Sequence, residues 1–498
     1  MNHNRALYQL FQTASAAKPV LESIDINRLD EKLKIQGFIK RFDDVASKAH
    51  TTDALKTADV IANVRELTDR IALINDGIPK AQSLGRKYYE CLKLQLVAEV
   101  LNNIQMRDAA HFVATMVSKR ACKYFFLNIA FQAERIVYVA CNQAGDTKAE
   151  ERAVEKFNKY LEYYRIEKDM EIERNRVFRH FNSSQVKSDE ISDMCRKIEQ
   201  RFESYVGDIP SFYFHNHFYI IRHIRYSNEN NHLAIHDNAH RALEYFNGLP
   251  FTYLPGILIH TYVLIVFNIQ KRQYTRAITL IDQSYDLVPD KKYHWYRLRE
   301  NEILLHLHRG TFGVACELFF PAYRSTAYLN IGELHQRRWR LYEAYIRLLI
   351  ETNIIAYSGP KKAYSIQKFV NDQPTFSKDK RAMNIPLLIA QMCFLIVRRK
   401  YDDATERITA LEKYSTRYLK NDGTFRSNCF IKMLLEIPKQ GFNRYAVERH
   451  AAKYHKRLSS SEIELINQPF EIEIIPYEKL WDIILDNLSK KKHYKVNT

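Results

Sequence analysis

Glycine and proline are both scarce in this sequence, with 13 of each among 498 residues. So few breakers leave little material for turns, and long helices are expected to dominate. The shortage also excludes backbone cradles for phosphate. Neither G-x-x-x-x-G-K-[ST] nor G-x-G-x-x-G occurs, and no G-x-S-x-G elbow presents a serine nucleophile. The seven cysteines, Cys91, Cys122, Cys141, Cys195, Cys316, Cys393 and Cys429, lie far apart and form no C-x-x-C. An odd, scattered set reads as buried structural thiols in a reducing compartment. Long apolar runs are missing too. The most apolar stretch, 253–269, is short for a membrane span and carries Pro255, His260 and Asn268, so it reads as a buried core helix. The opening Met1-Asn2-His3-Asn4-Arg5 leads into no continuous apolar segment, and no secretory signal is expected.

What is present suits a folded chain: 46% hydrophobic and 27% charged residues, with a length too great for one compact core. Tyrosine (32) and phenylalanine (27) far outnumber tryptophan (3). Tyrosine fits narrow helix interfaces, where the ring is buried and the hydroxyl reaches water. The net charge of +17 is uneven: residues 1–250 hold 36 Lys and Arg against 33 Asp and Glu, whereas residues 251–400 hold 22 against 11. An excess of that size predicts a surface that attracts acidic protein or nucleic acid.

Helices are expected throughout. Asp25 caps one with Leu29, Leu33, Phe38, Phe42 and Val45 on its apolar side, and Thr52 or Asp53 caps another carrying Leu55, Val60, Val64, Leu67 and Ile71. Asp76-Gly77-Ile78-Pro79 is a stop. Helices follow at 88–104, 109–117, 123–141 and 148–179. The polar stretch 182–188 is either a domain boundary or a loop within one array. Beyond it, helices alternate with breaks short enough to make neighbours antiparallel. Residues 470–475 are the one strand-like segment, leading into a last helix, 477–488, that resembles an array cap. The expected division is an N-terminal helical region at 1–186, helical repeats at 187–468, and a capping helix with a basic tail at 469–498.

One spaced phrase recurs in the second half. Tyr274-x-x-Ala277-x-x-x-Ile281-x-x-Ser284, closed by Pro289, is followed by Phe312-x-x-Ala315-x-x-x-Phe319-x-x-Ala322 and by Tyr401-x-x-Ala404-x-x-x-Ile408-x-x-Leu411. A small residue between bulky ones lets a neighbouring helix approach while the bulky groups fill the gap. The phrase resembles the second helix of a tetratricopeptide repeat. Repeat spacing departs from that family, with 38 residues between Ala277 and Ala315 and room for one degenerate repeat before Ala404. The resemblance implies an all-α, right-handed α-solenoid of antiparallel helical hairpins that binds protein or peptide on its concave face.

Catalytic chemistry finds little support. His232-x-x-x-His236-x-x-x-His240, with Glu244 a turn further, puts three imidazoles on one helical face, and His236-Asp237-Asn238-Ala239-His240 is similar to the zinc-peptidase H-E-x-x-H. Aspartate is one methylene short for that role, and no Asp or Glu occurs in residues 245–281. A solvated or partner-facing helix side is therefore expected, with no metal and no cofactor; chance metal binding and a metal-dependent hydrolase are the lesser readings. His215-Asn216-His217, among aromatics, reads as a helix start with one buried and one exposed histidine. The better lead is basic. Arg337, Arg338, Trp339, Arg340 and Arg347 mix guanidiniums with an indole early in a long helix, and Lys271-Arg272 ends another. These residues are the expected partner-binding set, although cations at helix C-termini also simply complement the helix dipole. The sequence therefore predicts a non-enzymatic cytoplasmic scaffold or adaptor that binds an acidic protein or peptide, with a nucleic-acid-associated regulator as the alternative and no membrane partner.

Overall fold

The computed structural model describes residues 83–103, 105–181, 188–229, 231–288, 292–357, 359, 364–366, 385–418, 425–461, 463 and 473–488. The two helices expected before residue 76, the stop after them, residues 182–187, Pro289 and the basic tail lie outside these residues.

Among the described residues the chain is all-α, with seventeen α-helices and no strand. In order these are α1 (Ser83–Asn103), α2 (Arg107–Lys123), α3 (Leu127–Gln143), α4 (Thr147–Phe181), α5 (Ser188–Phe202), α6 (Phe212–Asn228), α7 (His232–Asn247), α8 (Leu254–Gln270), α9 (Tyr274–Tyr285), α10 (Tyr293–Arg309), α11 (Phe312–Tyr323), α12 (Glu333–Glu351), α13 (Ile385–Val397), α14 (Tyr401–Tyr418), α15 (Phe425–Lys439), α16 (Arg444–Ser459) and α17 (Tyr477–Asn487). No described helix is long and apolar enough to cross a membrane. The strand-like segment before α17 has none in its described part, Glu473–Ile475.

The chain divides into two compact units. One takes the described residues up to Ile172 with Ser204–His215 and Gly248–Tyr253; the other takes Glu173–Glu203, Asn216–Asn247 and the described residues from Leu254 onward. In the first unit α1, α2 and α3 pack on one another. Alanines fill the seam, with Ala98, Ala109, Ala110, Ala114, Ala121, Ala130 and Ala133 all buried. Such small side chains let helix axes approach closely. In the second unit each helix from α7 to α11 packs on the next, α11 meets α12, and the sequence resumes from α12 through α13 to α17.

A single turn design links many of these helices. At the end of α1 the Met106 N–H bonds back to the Leu101 carbonyl, and Gln105 takes φ 63°. The same six-residue wrap recurs from Phe126 to Ala121, Asp146 to Cys141, Gln273 to Asn268, Thr311 to His306, Ile354 to Leu349, Lys400 to Leu395 and Phe442 to Ile437. This geometry satisfies orphan carbonyls at a helix end and needs one residue in the left-handed region, ordinarily glycine. Here Phe125, Arg272, Asn353 and Arg399 occupy it alongside Gln105. A glycine-poor chain thus builds tight connections from residues that each accept about 1 kcal/mol of backbone strain. The expected helix at 123–141 begins four residues later, at Leu127, because the chain wraps at Phe125.

The recurring phrase marks buried positions. Ala277, Ala315 and Ala404 are buried on α9, α11 and α14, as are Ile281, Phe319 and Ile408 one turn on. Pro321 is accommodated in the last turn of α11. A fourth unit lies on α16, where Val447 and Ala451 take the equivalent buried places after Arg444. Four hairpins therefore share one construction: α8/α9, α10/α11, α13/α14 and α15/α16. Between the second and third, α12 ends in the same wrap at Asn353, in the interval with room for a degenerate repeat.

The chain's last described segment returns across several of these hairpins. The Ile463 carbonyl accepts from Gln270 Nε2 at 3.2 Å, and Lys479 Nζ donates to the carbonyls of His308 and Arg309 at 3.0 and 2.7 Å. Tyr477 stacks on Phe430 at 4.4 Å, and α17 packs on α13 and α16. At its centre Arg426, wholly buried, grips Glu473 with Nε–Oε1 and Nη2–Oε2 distances of 2.5 and 3.1 Å, reaches Glu478 at 2.7 Å, and donates to the Leu458 and Ser461 carbonyls.

Candidate functional site

Helix α12 carries most of the cations expected to bind a partner. Its apolar face, Trp339, Tyr342, Tyr345, Ile346 and Leu349, is buried, so its guanidiniums must divide between flank and interior. Trp339 has no exposed surface; it stacks on Phe319 at 5.5 Å and meets Tyr296 edge-on. It belongs to the hairpin core and offers no indole to a partner.

Arg338 is also buried, and bonds to Glu300 of α10. Glu300 is 2% exposed and also meets Arg297 Nη1 at 2.9 Å, with His335 Nδ1 3.6 Å away. Burial pushes this carboxyl up, but Arg297 and Arg338 together overcome it and hold the group well below the usual carboxylate range. Arg338 thus compensates a buried carboxylate across two helices. The dipole argument and the partner argument both miss this role, and no local spacing signals it, because the residues are 38 apart in sequence.

The other expected cations remain accessible to different degrees. Arg337 is half-buried and pairs with Glu333 one turn earlier. Arg340 lies near Tyr323 and Tyr328, close enough for its charge to favour ionisation of both phenols, although burial pushes them up overall. Arg347 meets Glu343 at 3.5 Å and lies over the rings of Phe320 at 4.8 Å and Tyr357 at 5.7 Å. At the end of α8, Lys271 lies over Phe267, and the exposed Arg272 meets Glu478 at 3.4 Å. The two groups sit on different helices, α8 and α12.

Geometry adds two residues to the expected set. Arg324, exposed at the end of α11, lies 4.9 Å over the Phe320 ring and donates to Tyr357 Oη at 2.6 Å. Arg324 and Arg347 therefore share one ring. Arg398 lies 4.9 Å over Phe394, binds Glu351 through two bonds at 2.6 and 2.9 Å, and donates to the Tyr364 carbonyl. The result is a surface on α11–α13 in which guanidiniums are fixed against aromatic faces. Such fixed cations can take carboxylates with little further ordering. The alternation Phe320, Tyr323, Arg324 is visible in the sequence, but its meeting with Arg347 and Tyr357 is not.

The histidines separate. His215 is buried, with Nδ1 2.7 Å from the Ser211 carbonyl and Nε2 2.9 Å from that of Val206. His217 is buried as well, so the expected exposed member of that pair is absent. On α7, His236 and His240 bring their Nε2 atoms to 3.1 Å. No group of three or more His, Cys, Asp or Glu residues placed to hold one metal ion occurs among the described residues. The seven cysteines form no disulfide and six are buried; burial pushes the Cys91 thiol up to about 12.

No family model, curated protein or solved structure matches the chain.

Proposed function

We propose that this chain is a non-catalytic, tetratricopeptide-like right-handed α-solenoid that serves as a cytoplasmic scaffold or adaptor for an acidic protein or peptide. The observation that carries the reading is the shared stacking of Arg324 and Arg347 on Phe320, with Tyr357 fixing Arg324. Held this way, the guanidiniums lose little freedom when a carboxylate docks. The surrounding charge supports the same partner, since residues 251–400 hold twice as many basic as acidic residues. Four hairpins of one construction, with Ala277, Ala315, Ala404 and Val447 buried at the same place, support the repeat assignment.

The reading is tested with Arg324→Glu/Arg340→Glu, which leaves the interior pair Arg338–Glu300 intact. Affinity for an acidic peptide should fall by about tenfold or more while helicity is unchanged. Equal affinity in the double variant would overturn the proposal. Partner recovery that disappears on nuclease treatment would move the assignment to nucleic acid.

A further inference from the structure

The facing imidazoles of His236 and His240 are not used by the proposed docking surface. They stand one turn apart on α7, with Nε2 atoms 3.1 Å apart. Two neutral imidazoles at that distance either share one proton or point both lone pairs at a common cation. Zinc–imidazole bonds of about 2.0–2.1 Å place two ligand nitrogens about 2.9–3.4 Å apart, for N–metal–N angles between a right angle and the tetrahedral value. The observed separation lies inside that window.

Two neighbouring contacts prepare the clip. Phe267 of α8 lies against the His236 ring with centroids 4.7 Å apart, which restricts its rotation. The Asp237 carboxylate lies 3.4 Å from His236 Nδ1. A carboxylate on that side favours the tautomer protonated at Nδ1 and leaves the Nε2 lone pair free, as outer-shell carboxylates do for metal-binding histidines.

We infer that His236 and His240 form a two-histidine site for a borderline divalent metal ion of the zinc class. Nε2 of each residue supplies one bond. Two protein ligands leave the remaining positions to water or to a donor from a bound molecule, so the site holds its ion reversibly. It lacks the carboxylate geometry of a zinc peptidase, and its role is ion binding without hydrolysis.

The test is zinc titration of the untagged, metal-stripped full chain against a chromophoric chelator. The wild type should take up one equivalent at this site. His236→Asn and His240→Asn should each weaken that equivalent by about a hundredfold, because either one removes the chelate effect. His232→Asn, on the same helical face, should leave it unchanged. Both test positions are at least partly exposed, and matching circular dichroism across the variants would show that the fold is intact. Absence of the equivalent in wild type would overturn the inference and leave a simple N–H···N bond between the rings. Retention of full affinity in either single variant would overturn it too.

Discussion

Replacing Arg426 by methionine should be among the most damaging single changes available to the second unit. The guanidinium is wholly buried and neutralises Glu473, itself 2% exposed. Burial pushes the Glu473 carboxyl up even with Arg426 and the Tyr477 N–H pulling it down. Without the guanidinium this group must stay charged and unpaired or take up a proton. Breaking a buried pair from one side costs about 3–5 kcal/mol. The Ser461 carbonyl loses its donor at the same time, at about 1–3 kcal/mol if left dry, whereas the Leu458 carbonyl keeps the Ser461 N–H and hydroxyl. Against a domain stability of about 5–15 kcal/mol, a loss of about 4–8 kcal/mol should move the urea midpoint far below wild type. The companion Arg426→Met/Glu473→Leu removes the stranded Glu473 carboxylate and should recover a large part of that loss, leaving mainly the Ser461 carbonyl and the Glu478 carboxylate without the guanidinium. Urea unfolding followed by far-ultraviolet circular dichroism, with proteolysis near residues 461–475 as a local probe, measures both. A single variant within about 1 kcal/mol of wild type, or a double variant no better than the single, would refute the view that this network pins the C-terminal segment.

The buried carboxylate on α10 predicts a sharp contrast between adjacent arginines. Arg338→Glu sets a second carboxylate against Glu300 and should unfold the unit or lower its stability by at least about 3 kcal/mol, whereas Arg337→Glu, beside the exposed Glu333, should stay within about 1 kcal/mol. Equal thermal shifts in the two variants would contradict the interior role of Arg338. Acid should weaken the second unit from near neutrality. Burial lowers His223 to about 4, His260 to about 3 and His308 to about 4, so the folded chain keeps them neutral while the unfolded chain takes up protons below about 6.5. Stability is then level above that pH and falls below it, each group adding a slope approaching about 1.4 kcal/mol per pH unit. Glu199, pushed up to about 7 by burial against the pull of Arg225 and Arg222, opposes with the other sign, as do the Glu473 and Asp482 carboxyls that burial pushes up. Urea midpoints from pH 7.5 to 4.5 should decline, and His260→Phe should flatten the slope; a level profile would contradict the burial of these imidazoles.

Much of the architecture was legible because helix formation and close packing are local in sequence. The scarcity of glycine and proline, the helix periods and the small-residue positions Ala277, Ala315 and Ala404 all describe neighbours within a turn or two. The fourth unit is not legible in the sequence because Arg444 and Val447 replace the aromatic and the alanine, although Val447 and Ala451 are buried at the equivalent places. The turns were harder to read. Residues such as Phe125, Arg272 and Arg399 have no intrinsic preference for positive φ, and only the packing of the helices on either side holds them there.

By itself, then, the sequence determined an all-helical chain with recurrent hairpins and an excess of positive charge in its second half. The tertiary structure alone decided which charges are surface and which are interior. Arg338 meets Glu300, Arg426 meets Glu473 and Arg324 shares a ring with Arg347 across separations of 38, 47 and 23 residues, and no period of one helix carries that information. The physical reason is that an ion's partner is chosen by the packing of whole helices, whereas a helix chooses its own buried face.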